Sequence, residues 1–256
     1  MRRDAGGAVG RWLGFPSWDP RVRDAVPLNT ELAIGMKGFR EMENLEQGQV
    51  LYRPFEPDEF DDLAEVAART WFDDLGEEES RLVGAIYLAD DLRRTTFSQV
   101  AVVDGRPLGF ILARAGNVDP KADAAWREVL EEVERELRER APGEAEKLIA
   151  DAELERRTYA EALEGCTCDK RYEFVLFIVA PEARGLGLGR ELFDRAEAYL
   201  AAQGAREAYL ETDDGCNWGF YEHRGLKRVG ELHPSAEGRD QARLLPGYYI
   251  YVDELA

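Results

Sequence analysis

Cysteine and histidine are scarce in this chain of 256 residues, which contains 3 cysteines and 2 histidines. Cys166, Cys168 and Cys216 give an odd count without a disulfide framework, and Cys166-x-Cys168 lacks the two-residue gap that is usual in metal sites. Neither histidine has companions at metal-ligand spacing. The sequence therefore predicts no bound metal and a reduced, cytoplasmic protein.

Long apolar runs and basic residues are also in short supply. The longest apolar runs have the length of a β-strand, so the sequence predicts no transmembrane span and no membrane partner. The 33 basic and 52 acidic residues give a net charge of −19, which argues against binding nucleic acid through its phosphates. The same charge is compatible with electrostatic attraction of a cationic ligand such as an amine, and equally with simple solubility.

A glycine-rich turn is the most informative feature that the chain does contain. The hydrophobic run 174–179 is followed by Arg184, by glycines at 185, 187 and 189, and then at once by an amphipathic helical pattern. Glycine lets backbone amides approach a ligand closely, and a helix N-terminus adds aligned donors and partial positive charge. This combination is suited to holding a pyrophosphate.

The spacing of the turn distinguishes between the known phosphate-binding motifs. A Walker loop requires Lys and then Ser or Thr after its last glycine, whereas Arg190 and Glu191 follow Gly189. A dinucleotide-binding turn has the spacing G-x-G-x-x-G, but the spacing here is G-x-G-x-G. What fits is Arg184-x-x-Gly187-x-Gly189 after a strand, which resembles the coenzyme A signature of the GNAT superfamily of N-acetyltransferases.

A second motif follows in the order that this family has. After a helix and a predicted strand at 207–212 come Asn217, Gly219, Phe220 and Tyr221. They resemble the second half of the GNAT pattern, in which an asparagine opens a short helix and a tyrosine lies near its end. A plain strand-to-helix turn would also favour glycine, but it would not explain both motifs. The resemblance implies an α/β (α+β) GNAT fold, with a mixed, mostly antiparallel sheet flanked by helices.

The resemblance also divides the chain into an arm and a domain. Residues 1–48 have scattered aromatics and no sustained period, which predicts an N-terminal arm that packs on the domain or on a partner. Residues 49–256 would form the GNAT domain. An insertion relative to the family order lies at about 116–170, where two apolar stripes separated by Pro142-Gly143 predict a helical hairpin. This hairpin is expected either to cap the acceptor pocket or to be a stabilising or dimerisation appendage.

The resemblance implies acetyl-coenzyme A as co-substrate and assigns residues to it. In the family, strands four and five splay apart, and the pantetheine arm pairs with the exposed edge. Asn217 matches the residue that hydrogen-bonds the pantetheine region, and a backbone amide of Phe177, Ile178 or Val179 would hold the negative charge that develops on the carbonyl oxygen. The pyrophosphate would be held by Arg184 and by the amides of Gly185, Leu186, Gly187, Leu188 and Gly189, with Arg190 as a further phosphate contact.

Acetyl transfer to an amine also requires a base and an acid. An alkyl amine is protonated at neutral pH, and freeing its lone pair costs about three pH units, or roughly 4–5 kcal/mol. Glu173 opens the fourth strand, where several GNAT enzymes have a glutamate base, and simple alternation places it on the same face as Phe177. Glu211 on the fifth strand is the rival base. Tyr221 matches the tyrosine acid of the family, which protonates the departing thiolate.

The function implied is N-acetylation of a primary amine by direct attack, without a covalent enzyme intermediate. A small-molecule amine is the expected acceptor, because a cap over the pocket would obstruct a folded protein, and a homodimer is one option for assembly. Two alternatives stay open. One is a non-catalytic module that senses acyl-coenzyme A, against which the intact Tyr221 and Glu173 argue. The other is an acyltransferase with another acyl donor or acceptor.

Overall fold

The computed structural model describes residues 50–233 and 247–255 of the chain. The arm predicted at 1–48 lies outside the described residues. Short 3₁₀ turns occur at Pro57–Glu59 and Pro181–Ala183. The strands and α-helices of the described part follow in the order β1 (Val50–Arg53), α1 (Phe60–Trp71), α2 (Glu77–Leu92), β2 (Phe97–Val103), β3 (Arg106–Ala115), α3 (Pro120–Arg140), α4 (Ala145–Glu164), β4 (Tyr172–Val179), α5 (Leu188–Ala202), β5 (Glu207–Asp213), α6 (Gly219–Arg224), β6 (Lys227–Leu232) and β7 (Tyr248–Glu254).

One sheet contains all the described strands, in the order β1-β2-β3-β4-β5-β7-β6. Neighbouring strands run antiparallel except β4 and β5, which are parallel. The predicted α/β fold with a mixed, mostly antiparallel sheet is therefore confirmed. None of the described helices is both long enough and apolar enough to span a membrane.

The parallel strands β4 and β5 stay together over a short stretch. Glu173 pairs with Tyr209 and Phe174 with Leu210, and beyond these pairs the two described strands separate. On their other sides, β3 continues along β4 and β7 continues along β5. A wedge-shaped opening thus forms in the middle of the sheet. The backbone groups of β4 that face this opening have no strand to bond among those described.

A β-bulge interrupts β4 just where the opening begins. Leu112 of β3 pairs with Leu176, whereas the next residue, Ala113, pairs with Phe174. Val175 is therefore an extra residue on β4, and the alternation of side chains between the two faces shifts by one position there. Residues on the two sides of the bulge no longer follow a common two-residue period.

The bulge changes the face on which Glu173 lies. Phe174 and Phe177 both contact the ring of Phe193 on α5, with centroid distances of 4.3 and 5.7 Å, so both project from the face that α5 covers. Glu173 directly precedes Phe174 and projects from the opposite face. The expectation that Glu173 and Phe177 share a face is wrong, because it assumed an unbroken alternation.

The two faces of the sheet are covered by different helices. We call the side on which α5 packs against β2, β3 and β4 the α5 face. On the opposite side, α4 packs against β6 and β7 and contacts Tyr209, Ile250 and Val252, so we call this side the α4 face. Tyr209 is the register partner of Glu173. The carboxylate of Glu173 therefore belongs to the α4 face.

The predicted helical hairpin is formed by α3 and α4. Asp119 caps α3 by accepting a hydrogen bond from the amide of Lys121 at 2.9 Å. The apolar stripe of α3 packs against α2, and the buried ring of Trp126 lies 5.9 Å from Phe55 and 5.7 Å from Phe60. The insertion thus shares the main hydrophobic core with the rest of the domain.

Candidate active site

The glycine turn follows β4 and leads directly into α5. After the 3₁₀ turn Pro181–Ala183, the chain passes through Gly185 and Gly187, whose φ angles are 85° and 79°. These left-handed conformations are strained for residues that carry a side chain, which is why glycine suits both positions. The helix begins at Leu188, with Gly187 as its N-cap residue.

Four amides at the start of α5 have no partner within the described protein, whereas the amide of Leu186, which was also expected to hold the pyrophosphate, donates to the carbonyl of Ala183 at 3.3 Å. No backbone or side-chain acceptor in the described ranges bonds the amide of Gly187, Leu188, Gly189 or Arg190. Unpaired N–H groups at a helix N-terminus, together with the partial positive charge there, attract an anion. The local geometry therefore agrees with a turn that holds a pyrophosphate.

The space around the turn separates the roles of two glycines. A Cβ atom at Gly187 would meet no heavy atom of the described residues within 4 Å, so the backbone there is open to a ligand. A Cβ atom at Gly189 would lie 3.2 Å from the ring of Phe177 and 3.5 Å from Val179. Gly187 thus leaves room in front of the turn, whereas Gly189 lets α5 pack closely on β4.

The side chains around the turn differ in their availability to a ligand. Arg184 and Arg190 are exposed, and neither has an ion-pair partner among the described residues. Leu186 is 58 % exposed, whereas the side chain of Leu188 is buried, so Leu188 can offer only its amide. The two arginines are therefore free to contact phosphate oxygens.

A cleft of about 430 Å³ lies beside the turn, between α5 and α6. Arg190, Phe220, His223 and Arg224 line it. Arg224 forms an ion pair with Asp194 at 2.7 Å, so its charge is already compensated within the protein. Arg190 and His223 remain as the polar groups that the cleft offers to a ligand.

Tyr221 lies on α6, beside the aromatic residues of the α5 face. Its ring is 6.1 Å from Phe193 and 5.9 Å from Tyr251, and its hydroxyl has no hydrogen-bond partner in the described part of the chain. Burial is the largest cause that raises the pKa of Tyr221 above its ordinary value, and neighbouring Cys216 and Asp213 add to it. The phenol therefore stays protonated at neutral pH and can donate its proton.

Asn217 lies in the turn that joins β5 to α6. Its backbone carbonyl accepts a hydrogen bond from the amide of Phe220 at 3.0 Å. Its side chain is exposed and has no partner among the described residues. The side-chain amide of Asn217 is thus available to a ligand close to Tyr221 in the sequence and in the same short segment.

Glu173 is held in a buried ion-pair network on the α4 face. The residue is 1 % exposed, and its two carboxylate oxygens accept hydrogen bonds from different guanidinium groups, Arg94 on one oxygen and Arg114 at 2.6 Å on the other. Arg94 also pairs with Asp91 at 2.8 Å. Both carboxylate oxygens of Glu173 are thus already engaged within the protein. This placement favours a structural role for Glu173 over the predicted role as base.

Glu211 lies on the same face, next to this network, but is bound far more loosely. Its side chain is 18 % exposed, it forms an ion pair with Arg94 at 3.9 Å, and it has no hydrogen-bond partner among the described residues. Burial raises the pKa of Glu211 to about 7, with Arg94 opposing the rise and Glu173 reinforcing it. A carboxylate with this pKa exchanges protons near neutral pH, as a general base must.

The cysteines do not offer an activated nucleophile. Cys166, Cys168 and Cys216 are free thiols, and burial raises the pKa of each, that of Cys216 to about 12. The thiolate, which is the reactive form, is therefore disfavoured in all of them. No group of three or more His, Cys, Asp or Glu side chains within 50–233 and 247–255 has the arrangement of a metal site.

The sequence pattern of the acetyltransferase (GNAT) family matches residues 39–226, more than half of the chain. The chain belongs to the GNAT acetyltransferase family. Members of this family use acetyl-coenzyme A, which agrees with the free amides and arginines of the glycine turn. No curated protein shows a significant match to this GNAT chain.

Solved structures similar to this GNAT chain include three acetyltransferases. A putative GNAT acetyltransferase from Desulfovibrio desulfuricans is 17% identical, covering 81% of this chain and 100% of its own, with a TM-score of 0.47. An aminoglycoside 6'-N-acetyltransferase complexed with coenzyme A is 16% identical, covering 80% and 97%, with a TM-score of 0.46. The ribosomal-protein-S18-alanine N-acetyltransferase from Escherichia coli is 11% identical, covering 81% and 95%, with a TM-score of 0.46. Membership of the family rests on the sequence match.

Sequence reasoning missed the cationic residues of this GNAT site. Arg114 is the register partner of Glu173 across β3 and β4. Arg114 could therefore have been predicted from the pairing of these two strands. Arg94 lies just after α2 and reaches Glu173 through the tertiary fold, and no sequence pattern connects the two. Asp213 and Tyr159, which form a hydrogen bond between β5 and the inserted helix α4, were missed for the same reason.

Proposed function

We propose that this chain is an acetyl-coenzyme A-dependent N-acetyltransferase that moves the acetyl group to the primary amine of a small molecule by direct attack. The observation that carries the proposal is the placement of three features around one opening in the sheet. The glycine turn and Tyr221 lie on the α5 face, Glu211 lies on the α4 face, and the wedge between β4 and β5 joins the two. One face would receive the coenzyme and the other the acceptor.

The residues of the α5 face fit the coenzyme. The open space at Gly187, the unpaired amides and the free side chain of Arg184 suit a pyrophosphate, and the cleft beside Arg190 would take the adenosine 3′-phosphate end. Asn217 and the unpaired edge of β4 at 177–179 would hold the pantetheine arm and the carbonyl oxygen. Bound there, acetyl-coenzyme A supplies an activated acetyl thioester.

Glu211 and Tyr221 divide the proton transfers of the reaction. The acceptor amine must lose a proton, which costs roughly 4–5 kcal/mol at neutral pH. Glu211, with a pKa of about 7, takes this proton directly or through a water molecule and replaces Glu173 as the proposed base. Tyr221, protonated at neutral pH, donates its proton to the departing sulfur.

The surroundings of Glu211 favour a small cationic acceptor. Burial is the largest cause that raises the pKa of Tyr159, and the negative charges of Asp213, Glu155 and Glu211 raise it further. These three carboxylates therefore lie around one point of the α4 face. An ammonium group is attracted to such a surface. Helix α4 covers the sheet here, which disfavours a folded protein as acceptor. The free cysteines agree with a cytoplasmic location.

Calorimetric titration of the full-length chain with acetyl-coenzyme A, followed by an assay of thiol release, tests the proposal. The panel contains butylamine, 1,4-diaminobutane and lysine, with butan-1-ol as the matched hydroxyl compound. We expect binding, and thiol release with an amine but not with the alcohol. Binding without release would indicate a coenzyme sensor, and release with the alcohol an O-acyltransferase. Absence of binding in protein free of copurified coenzyme would overturn the assignment of the glycine turn.

Tyr221→Phe should lower kcat by about a hundredfold or more, because general acid catalysis typically contributes 10²–10⁴-fold. The change removes one hydroxyl that has no partner in the described protein, so the Kd for acetyl-coenzyme A and the melting temperature should stay close to wild type. Steady-state thiol release and calorimetry measure both quantities. An unchanged kcat in Tyr221→Phe would remove Tyr221 from the mechanism.

A further inference from the structure

The inserted helix α4 is hydrogen-bonded to the last residue of β5. The hydroxyl of Tyr159 donates to Oδ2 of Asp213 at 3.3 Å. The ring of Tyr159 meets the ring of Tyr248 edge-on, with centroids 4.8 Å apart, and this contact fixes its direction. Because Tyr248 is the register partner of Asp213, the strand pair β5–β7 presents both groups to α4 together.

The same carboxylate organises the turn that leads to α6. Oδ1 of Asp213 accepts hydrogen bonds from the amides of Gly215 at 2.6 Å and Cys216 at 3.1 Å. The carbonyl of Cys216 accepts from the amide of Trp218, and the carbonyl of Trp218 accepts from the amide of Tyr221, both at 3.0 Å. A continuous hydrogen-bonded path thus runs from the hydroxyl on the inserted helix to the backbone of Tyr221.

Helix α6 is short, so the turn that leads into it contributes to its position. It spans only Gly219–Arg224, and none of its residues is fully buried. Helices this short are marginal unless tertiary contacts hold them. The segment enters from the turn at Asp213 and leaves through Gly225, which has a φ of 93°. The orientation of Tyr221 therefore depends on what holds the turn in place as well as on its ring contacts with Phe193 and Tyr251.

We infer that Tyr159 is a positioning residue for the acetyl transfer: by fixing Asp213, and through it the β5–α6 turn, it places the Tyr221 hydroxyl for proton donation. The inference rests on the proposed role of Tyr221 as acid. It gives the insertion a part in catalysis, since the inserted helix supplies the hydroxyl that anchors the turn. The glycine turn lies outside the path, so binding of the pyrophosphate is not affected.

Tyr159→Phe keeps the ring contact with Tyr248 and removes only the hydrogen bond to Asp213. Small displacements of a reacting group have large effects on rate, up to about a hundredfold for 1 Å. We expect Tyr159→Phe to lower kcat about tenfold, with the Kd for acetyl-coenzyme A within about threefold of wild type. Tyr199→Phe is the control, because it also loses a hydroxyl bonded to a side chain, Thr96 at 2.9 Å, but lies on α5 outside the path. Its kcat should be unchanged.

A double-mutant cycle with Tyr221→Phe, assayed with the fastest amine of the panel above, decides whether Tyr159 acts through Tyr221. In the Tyr221→Phe background, the further effect of Tyr159→Phe on kcat should disappear, because no hydroxyl remains to be placed. An equal, additive loss in that background, or an unchanged kcat in Tyr159→Phe, would overturn the inference while leaving the proposed function standing. If Tyr159→Phe does not fold, Asp213→Asn tests the same bond from its acceptor side in the same cycle.

The cycle also separates this inference from the function on which it rests. If Tyr221→Phe alone leaves turnover unchanged, the acid role fails and the positioning role fails with it. If no amine of the panel releases thiol with the wild-type chain, the proposed function and the inference are overturned together. A loss in Tyr221→Phe combined with non-additivity supports both.

Discussion

Gly187→Asp should abolish the binding of acetyl-coenzyme A while the protein remains folded. In the free protein the new side chain enters open space, since a Cβ atom at Gly187 meets no atom of the described part of the chain within 4 Å. The same space is where we propose that the pyrophosphate binds, so a carboxylate would occupy its position and repel its charge. Two like charges about 4 Å apart repel by about 1–4 kcal/mol at a protein surface. With the steric conflict added, calorimetry should show at least about a hundredfold loss of affinity.

Gly204→Asp provides the matched control. Gly204 lies beyond the opposite end of α5 and has a φ of 87°, and a Cβ atom there would likewise meet none of the described residues within 4 Å. Both substitutions introduce the same charge and the same left-handed strain, of order 1 kcal/mol. Gly204→Asp should therefore bind acetyl-coenzyme A as wild type does. Equal affinities in the two variants would show that the coenzyme binds elsewhere, and the proposed function would lose its main support.

The features that the sequence predicted best are those encoded in short, contiguous segments. The glycine turn needs only a strand, three glycines and a helix start in a row, and the segment from Asn217 to Tyr221 is equally local. The hairpin of α3 and α4 followed from the 3.6-residue period of its apolar stripes. The position of the hairpin in the fold could not be predicted from this period, because the contact of Trp126 with Phe55 and Phe60 joins residues that are distant in the chain.

The choice of base shows why the rest of the site could not be predicted. A single extra residue, Val175, reverses the side-chain alternation of β4, and a bulge leaves no reliable mark in the sequence. Glu173 also looks like a free carboxylate in the sequence, whereas the fold surrounds it with Arg94 and Arg114. The difference between Glu173 and Glu211 is therefore a difference of surroundings, which depend on strand register and on the position of the chain after α2.

Glu211→Gln should lower kcat by about 10²–10⁴-fold, because the amide keeps the shape of the side chain but cannot accept a proton. With a pKa of about 7, Glu211 is protonated below neutral pH and cannot act as base there, so wild-type kcat should rise with pH through about 7. The residual activity of Glu211→Gln should lack this rise. The Kd for acetyl-coenzyme A should be unchanged, because Glu211 lies on the α4 face and we propose that the coenzyme binds on the other.

Replacing Glu211 and replacing Glu173 by glutamine should change the stability of the fold in opposite directions. Burial raises the pKa of Glu211 in the folded protein above its unfolded value of 4.5, so the unfolded chain releases this proton at lower pH. Glu211 therefore destabilises the fold increasingly from about pH 4.5 to 7, and the penalty is complete above pH 7. Glu211→Gln should consequently melt at the same temperature as wild type or higher at pH 8. Glu173→Gln should melt lower, since removing one member of a buried ion-pair network typically costs about 3–5 kcal/mol.

The pair of variants thus distinguishes a catalytic carboxylate from a structural one. Glu173→Gln should keep a rise of kcat with pH in the fraction of protein that stays folded, because Glu211 is intact in it, but the rise should move to lower pH because the charge of Glu173 no longer helps to raise the pKa of Glu211. Glu211→Gln should lose the rise and keep the fold. The reverse pattern, a folded but inactive Glu173→Gln enzyme beside an active Glu211→Gln enzyme, would return the base to Glu173. In that case the two arginines would have to release its carboxylate when the acceptor binds, since both oxygens are engaged in the free protein.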